Sequence, residues 1–181
     1  MFGLLRILRI NRPSFYIGGM VGFAAGLGVM LLAFPFLFPP PALNEAAPAQ
    51  EIMAEGEAAR RFAFRFDENA PGRDPLHWAN GTGYIAALKS GWLLRLEGDF
   101  KTGPGPNYWL YLNTRAVGAE GDFLDDAGRI RIAQLKSFEG GQNYLLPLEI
   151  DGKPLDPAAF HTLTIWCESF SAYIGSAKLE K

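Results

Sequence analysis

The chain has 181 residues, with 17 Lys or Arg against 19 Asp or Glu, a formal net charge of -2 and a single cysteine. That balance supplies no basic field, which excludes nucleic acid as a partner. A lone cysteine excludes an intrachain disulfide, and two histidines leave too few ligands for a structural zinc site.

In chain order, a basic N-terminus (residues 1–12, with Arg6, Arg9 and Arg12) precedes a run from Pro13 to Phe38 that carries no Asp, Glu, Lys or Arg. A bilayer span needs about 20 mostly apolar residues, so residues 13–38 predict one transmembrane helix. Glu45, Glu51, Glu55 and Glu57 follow it. The Lys/Arg asymmetry predicts a cytoplasmic N-terminus and an exported remainder: a single-pass protein of the inner membrane with a periplasmic domain. Ala47-Pro48-Ala49 offers a cleavage site, the competing reading. Signal h-regions run only about 7–15 residues, which favours an uncleaved anchor. Gly18, Gly22 and Gly26 recur every four residues. That spacing predicts close pairing of two membrane helices, although glycine is frequent in such helices anyway. Pro39-Pro40-Pro41 ends the helix.

Residues 39–61 read as a Pro/Ala-rich linker, with an extended spacer from Ala42 to Gln50. Gln50 to Arg61 then has good helix formers and a Glu57–Arg61 spacing, which predicts a short juxtamembrane helix. From Phe62 the period changes to two: Phe62, Phe64 and Phe66 alternate with Ala63 and Arg65. After a turn from Asn69 to Pro75, strand-like runs follow at Leu76–Ala79, Gly83–Leu88, Trp92–Leu96, Tyr108–Leu112, Arg129–Leu135, Asn143–Leu148, Thr162–Glu168 and Ser171–Leu179. Asn80-Gly81, Ser90-Gly91, Gly103-Pro104-Gly105-Pro106, Gly140-Gly141 and Asp151-Gly152 punctuate them. This predicts an all-β domain over residues 62–181, an antiparallel sandwich or barrel-like fold.

Signatures of catalysis are missing: the sequence has no Gly-x-Ser-x-Gly elbow, phosphate loop or dinucleotide fingerprint, so a non-enzymatic role is expected. The acidic stretch Asp122-Phe123-Leu124-Asp125-Asp126 lacks calcium-loop spacing and reads as a solvated turn. Asn80-Gly81-Thr82 is formally a glycosylation sequon and reads more simply as a turn. A single exported cysteine invites a blue-copper reading, but neither His nor Met follows Cys167, and the Cys-x-x-Cys-His of covalent haem is absent. No metal is expected, and no cofactor can be assigned.

Cys167 lies in the alternating run Thr162-Leu163-Thr164-Ile165-Trp166-Cys167-Glu168. Period two puts it with Leu163 and Ile165 on the apolar side and sends Trp166 the other way. A buried thiol is inert, whereas a reactive one needs a cation or helix N-terminus to lower its pKa, and Glu168 beside it works in the opposite sense. Trp109 and Tyr111 share one face of the strand Tyr108–Leu112, a surface for a sugar, a lipid edge or a partner unless loops cover it.

From Leu76 to Leu179 a series of elements recurs in order: Gly81-Thr82, Leu94-Arg95-Leu96 with Asp99-Phe100, Gly105-Pro106-Asn107 with Tyr111-Leu112, Leu135-Lys136, Gly141-Gln142-Asn143-Tyr144 with Pro147, and Ile165-Trp166-Cys167 with Phe170, Ala177 and Leu179. In this the chain resembles the DM-thirteen domain, which occurs with DOMON domains in animal surface proteins and in bacterial envelope proteins. The resemblance implies a compact β-sandwich whose cysteine, here Cys167, serves electron transfer or holds a prosthetic group. Asn107 stands where that family commonly has an acidic residue, and no DOMON or cytochrome domain accompanies it here. Two functional expectations result. One is a redox accessory centred on Cys167 and acting with an envelope redox partner. The other is a non-catalytic envelope interaction module with a structural cysteine, meeting its partner through Asn107, Trp109, Tyr111 and Trp166.

Overall fold

The computed structural model describes residues 12–56, 59–67 and 73–180. Arg6, Arg9, Glu57 and the Asn69–Gly72 part of the predicted turn lie outside the described residues. The chain divides into two units, one up to Phe38 and one from Pro39 onward. The first is helix α1 (Arg12–Leu37), within which Pro13–Leu37 is long and apolar enough to cross a membrane. Its large side chains, among them Met20, Phe23 and Leu31, are exposed, so the helix presents an apolar surface.

The second unit is β-structured. Its main strands are β2 (Arg61–Phe66), β3 (Ala79–Leu88), β4 (Gly91–Leu96), β6 (Tyr108–Asn113), β7 (Ile130–Gln134), β8 (Gly140–Leu145), β11 (Thr162–Cys167) and β12 (Ala172–Leu179). Short strands β1 (Leu43–Asn44) and β5 (Lys101–Thr102) join the same sheet, while β9 (Glu149–Ile150) and β10 (Lys153–Pro154) form a separate ribbon. The order is β1-β8-β4-β3-β2-β12-β11-β6-β7, with β5 paired to β3. Every pairing is antiparallel except β1 with β8. The expected all-β fold is present, but the sheet does not close into a barrel, because β1 and β7 remain as its two edges.

What folds the sheet is its inner face. Phe62, Phe64 and Phe66 of β2 join Ile85, Leu94, Leu96, Leu110, Leu112, Leu163, Ile165 and Cys167 in one buried cluster, although their strands lie far apart in the sheet order. Side chains alternate across a strand, so the period-two apolar runs of the sequence all turn to the same side. Each large side chain so buried contributes about 1.5–3 kcal/mol, enough to curl the sheet around them.

Four local expectations differ. Leu76–Ala79 is not a strand; β3 begins at Ala79 and runs through Asn80-Gly81-Thr82, which therefore makes no turn. Gly81 has φ +110°, and a Cβ there would stand 2.6 Å from the Phe100 Cα, so the residue is a close backbone approach inside a strand. The Asp99 carboxylate accepts from the Thr82 N–H and hydroxyl and locks that approach. The acidic stretch is not a solvated turn but a short helix, α2 (Glu120–Leu124), followed by a buried Asp126 that accepts from the Thr114 N–H and hydroxyl. Where a juxtamembrane helix is expected over Gln50 to Arg61, the described residues show no α-helix; Gln50–Ile52 form a 3-10 turn.

The predicted spacer is extended but docked. Leu43 and Asn44 pair with Gly140 and Gly141, and the Arg95 guanidinium, nearly buried, donates to the carbonyls of Glu45 and Ala46 and to Asn143. Its Nε donates to Glu97 at 2.9 Å. Glu45 accepts from Lys136 and from the Asn143 N–H, which holds its carboxyl below the usual range. Replacing Arg95 by Ala removes the donor to the Glu45 carbonyl and to Glu97, while the Ala46 carbonyl keeps only the Asn143 side-chain N–H. We expect a loss of about 2–4 kcal/mol in urea unfolding and new protease cleavage at residues 43–50. Unchanged stability and protection would show that the segment is held elsewhere.

Candidate functional site

Cys167 ends β11, and its neighbours come from three further places in the chain. The ladder pairs it with Tyr108 of β6 on one side and with Ala172 of β12 on the other. Its Sγ donates to the carbonyl of Pro106 at 3.1 Å, and the residue is 1 % exposed. The thiol is free, as the composition requires. The N–H groups of Ser169 and Phe170, in the turn that follows β11, face the sulfur and favour its thiolate. Burial outweighs them, and the pKa is raised from its ordinary value.

The loop over the sulfur is Gly103-Pro104-Gly105-Pro106-Asn107. A Cβ on Gly105 would collide with the Tyr108 hydroxyl, so only glycine lets the loop lie on that ring. Tyr108 also packs edge-on against Phe138, with ring centroids 5.8 Å apart. Its own pKa is raised by burial first, then by Cys167 and the charge of Asp74. Asp74 binds His77 Nδ1 at 2.7 Å on the segment beside the loop, where the Gly103 N–H donates to the Trp78 carbonyl. Among the described residues no group of three His, Cys, Asp or Glu side chains is placed to hold a metal.

The predicted interaction residues lie on the opposite face of β6 and β11 and divide into two kinds. Trp166 and Tyr111 are buried, together with Val117, Phe123 and Tyr173, in a second cluster outside the main core. The cover is α2: the Phe123 ring stacks on Trp166 with centroids 4.2 Å apart and stands edge-on to Tyr111 at 5.0 Å. Arg129 lies over the other side of that ring and donates to the Phe123, Leu124 and Asp126 carbonyls that end the helix. The Tyr111 hydroxyl donates to Glu168, and burial with that carboxylate pushes its pKa up to about 12.

Trp109 and Asn107 remain accessible. Asn107 is exposed, with φ +58°, and its side-chain oxygen accepts from Trp109 Nε1 at 2.8 Å and from Gln134 Nε2. Arg131 stacks over the half-buried Trp109 ring at 4.4 Å and pairs with Glu168 at 3.7 Å. The Asn107 carbonyl in turn accepts from the Glu168 N–H, so this small platform shares its backbone with the loop that holds the thiol.

Sequence reasoning missed Tyr108, Pro106 and Phe123. The first two were visible only as a strand start and a turn. Phe123 did carry a signal: a single large aromatic amid Glu120, Asp122, Asp125 and Asp126 has no reason to be there unless it is buried. The Gln-x-Tyr element is structural. Gln142, fully buried, bonds the Ser137 N–H, the Ser137 and Gly140 carbonyls and the Tyr144 hydroxyl, which itself accepts from the Lys136 N–H.

Phe123→Ala separates the two faces. It should cost about 3 kcal/mol in thermal unfolding and shift tryptophan emission to the red, because Trp166 loses its cover. The thiol on the other face should stay unmodified by alkylating reagents. A thiol that becomes reactive in this variant would show that the faces are one site.

No curated protein and no solved structure matches the chain. The sequence model described as electron transfer DM13 matches residues 73–179, more than half of its length and the span from β3 to β12. That span contains Cys167, the loop over it and every motif that carried the resemblance, and the chain therefore belongs to the electron transfer DM13 family.

Proposed function

We propose that this chain is a membrane-anchored electron-transfer accessory in which Cys167 is the redox-linked group. The observation that carries the reading is the family match over residues 73–179. The apolar helix supplies the anchor, with the N-terminus cytoplasmic and the DM13 domain exported to the periplasmic side, where thiols meet oxidants. Gly18, Gly22 and Gly26 offer a seam for pairing two such helices.

The local chemistry supports a gated thiol. Burial and the Pro106 carbonyl hold the sulfur protonated, while the Ser169 and Phe170 N–H groups favour its anion. Moving the Gly103–Asn107 loop removes the acceptor and much of the burial together and leaves the two donors in place. A partner that engages Asn107 and Trp109 would act on that loop directly, because Asn107 ends it. The enclosed sulfur, 1 % exposed, does not fit a resident prosthetic group in this conformation.

A second reading is favoured by the burial itself: Cys167 as a packing residue in an envelope interaction module that uses the Asn107–Trp109–Arg131 platform. Protein-film voltammetry of the full chain in detergent separates the two. The redox reading expects a signal that disappears in Cys167→Ala and in Cys167→Ser. A signal that survives both substitutions, or none in the wild type, leaves the interaction module.

The raised pKa values set a pH profile. Cys167 titrates above its ordinary 9.0, and Tyr111, at about 12, above its ordinary 10.0, so the folded state holds protons that the unfolded state has lost. Their stabilising contribution is complete below about pH 9 and falls as pH rises through the folded values. Urea midpoints should therefore be flat through neutral pH and decline above about pH 9, with a shallower onset in Cys167→Ala. Identical profiles in the wild type and in Cys167→Ala would mean the thiol is not shielded.

A further inference from the structure

At the other end of β11 from Cys167, about 17 Å away at the usual strand rise, three basic side chains share one groove. Arg65 of β2 and Lys178 of β12 stand directly opposite each other in the antiparallel ladder. His161, the residue before β11, joins them, and the Ala116–Gly118 loop closes one side around about 280 Å³. A second depression is lined by the same three residues together with Leu179 and Glu180. All three side chains are exposed.

Like charges directly opposite on neighbouring strands are destabilising, and a sheet normally answers them with a carboxylate. Among the described residues no ion pair reaches Arg65, Lys178 or His161. Asp67 lines the groove and Glu180 the adjoining depression, but among the described residues neither carboxylate forms an ion pair with the three basic side chains. Repulsion kept at a concave site is the pattern expected where an anion supplies the missing charge.

We propose that this groove binds a phosphate-bearing ligand. The Arg65 guanidinium presents a planar fork suited to two phosphate oxygens, Lys178 adds a point charge, and His161 adds a ring donor. Two cations and a third donor match a phosphate monoester, with a charge near -1.5 to -2 and three acceptor oxygens, better than a carboxylate with one charge and two. The phosphate comes either from a soluble phosphate compound or from an anionic lipid headgroup, and the groove lies apart from the thiol in both cases.

The test uses the full chain in phosphatidylcholine nanodiscs, titrated calorimetrically with inorganic phosphate at constant ionic strength. Saturable binding is expected, weakened by roughly tenfold in Arg65→Gln and in Lys178→Gln. It should be unchanged in Lys89→Gln, an exposed site on the turn between β3 and β4. Without phosphate, Arg65→Gln and Lys178→Gln should melt at or above the wild-type temperature, since each removes a repulsion. That result distinguishes a ligand site from a structural one. Replacing part of the lipid by phosphatidic acid identifies the source: weakened binding of free phosphate assigns the groove to a headgroup, and unchanged binding assigns it to a soluble phosphate. Absence of saturable binding in phosphatidylcholine discs, an equal loss in Lys89→Gln, or a lower melting temperature in both groove variants without phosphate overturns the proposal.

Discussion

Strand β11 is buried on both of its faces, and this constraint organises the domain. Leu163, Ile165 and Cys167 enter the main core, while Trp166 lies in the second cluster on the opposite face and Thr162 and Thr164 are buried there as well. A strand in an antiparallel sheet ordinarily has one wet face, so a second cover has to be found. Here α2 provides it with a single aromatic ring, Phe123, held between Trp166 and Arg129. The helix is only five residues long and could not persist alone; the ring's burial and the Arg129 cap keep it in place.

The same double burial explains why the thiol is quiet. A cysteine at the end of a central strand, paired with Tyr108 and Ala172 and closed over by a glycine- and proline-rich loop, has lost its water. The charged form is then disfavoured even with two backbone donors facing it. Under the proposed function, access to the sulfur therefore depends on the loop from Gly103 to Asn107, whose Pro106 carbonyl accepts from it. Stability and reactivity oppose each other at this position, because whatever opens the loop also gives up part of the burial that holds β6 and β11 together.

Docking of residues 43–46 has a related logic. A Pro/Ala-rich segment with few side chains to bury has little reason to order, and by composition it is a spacer. Arg95 changes that by donating to main-chain carbonyls, which any sequence carries. The segment is thus recruited by a residue some fifty positions away, and its own composition gives no sign of it.

Much of the architecture was legible in local pattern. The uncharged run from Pro13 to Phe38, the alternation at Phe62–Phe66 and the placement of Cys167 with Leu163 and Ile165 follow from periods of the chain itself, because side-chain direction alternates strictly along a strand. The other outcomes were not written locally. Asn80-Gly81 has the composition of a turn, yet Asp99 and Phe100 hold it inside a strand. Trp109 and Tyr111 look alike from sequence, but Tyr111 is covered by α2 and Trp109 is left at the surface. Arg65, His161 and Lys178 are dispersed over more than a hundred residues and meet only through the β2–β12–β11 pairing. The sequence by itself determined the apolar helix, most of the longer strands and which side of them is apolar. Only the tertiary structure decided what covers the second face, because cover and charge clustering depend on contacts between residues remote in the chain, and no local period records those.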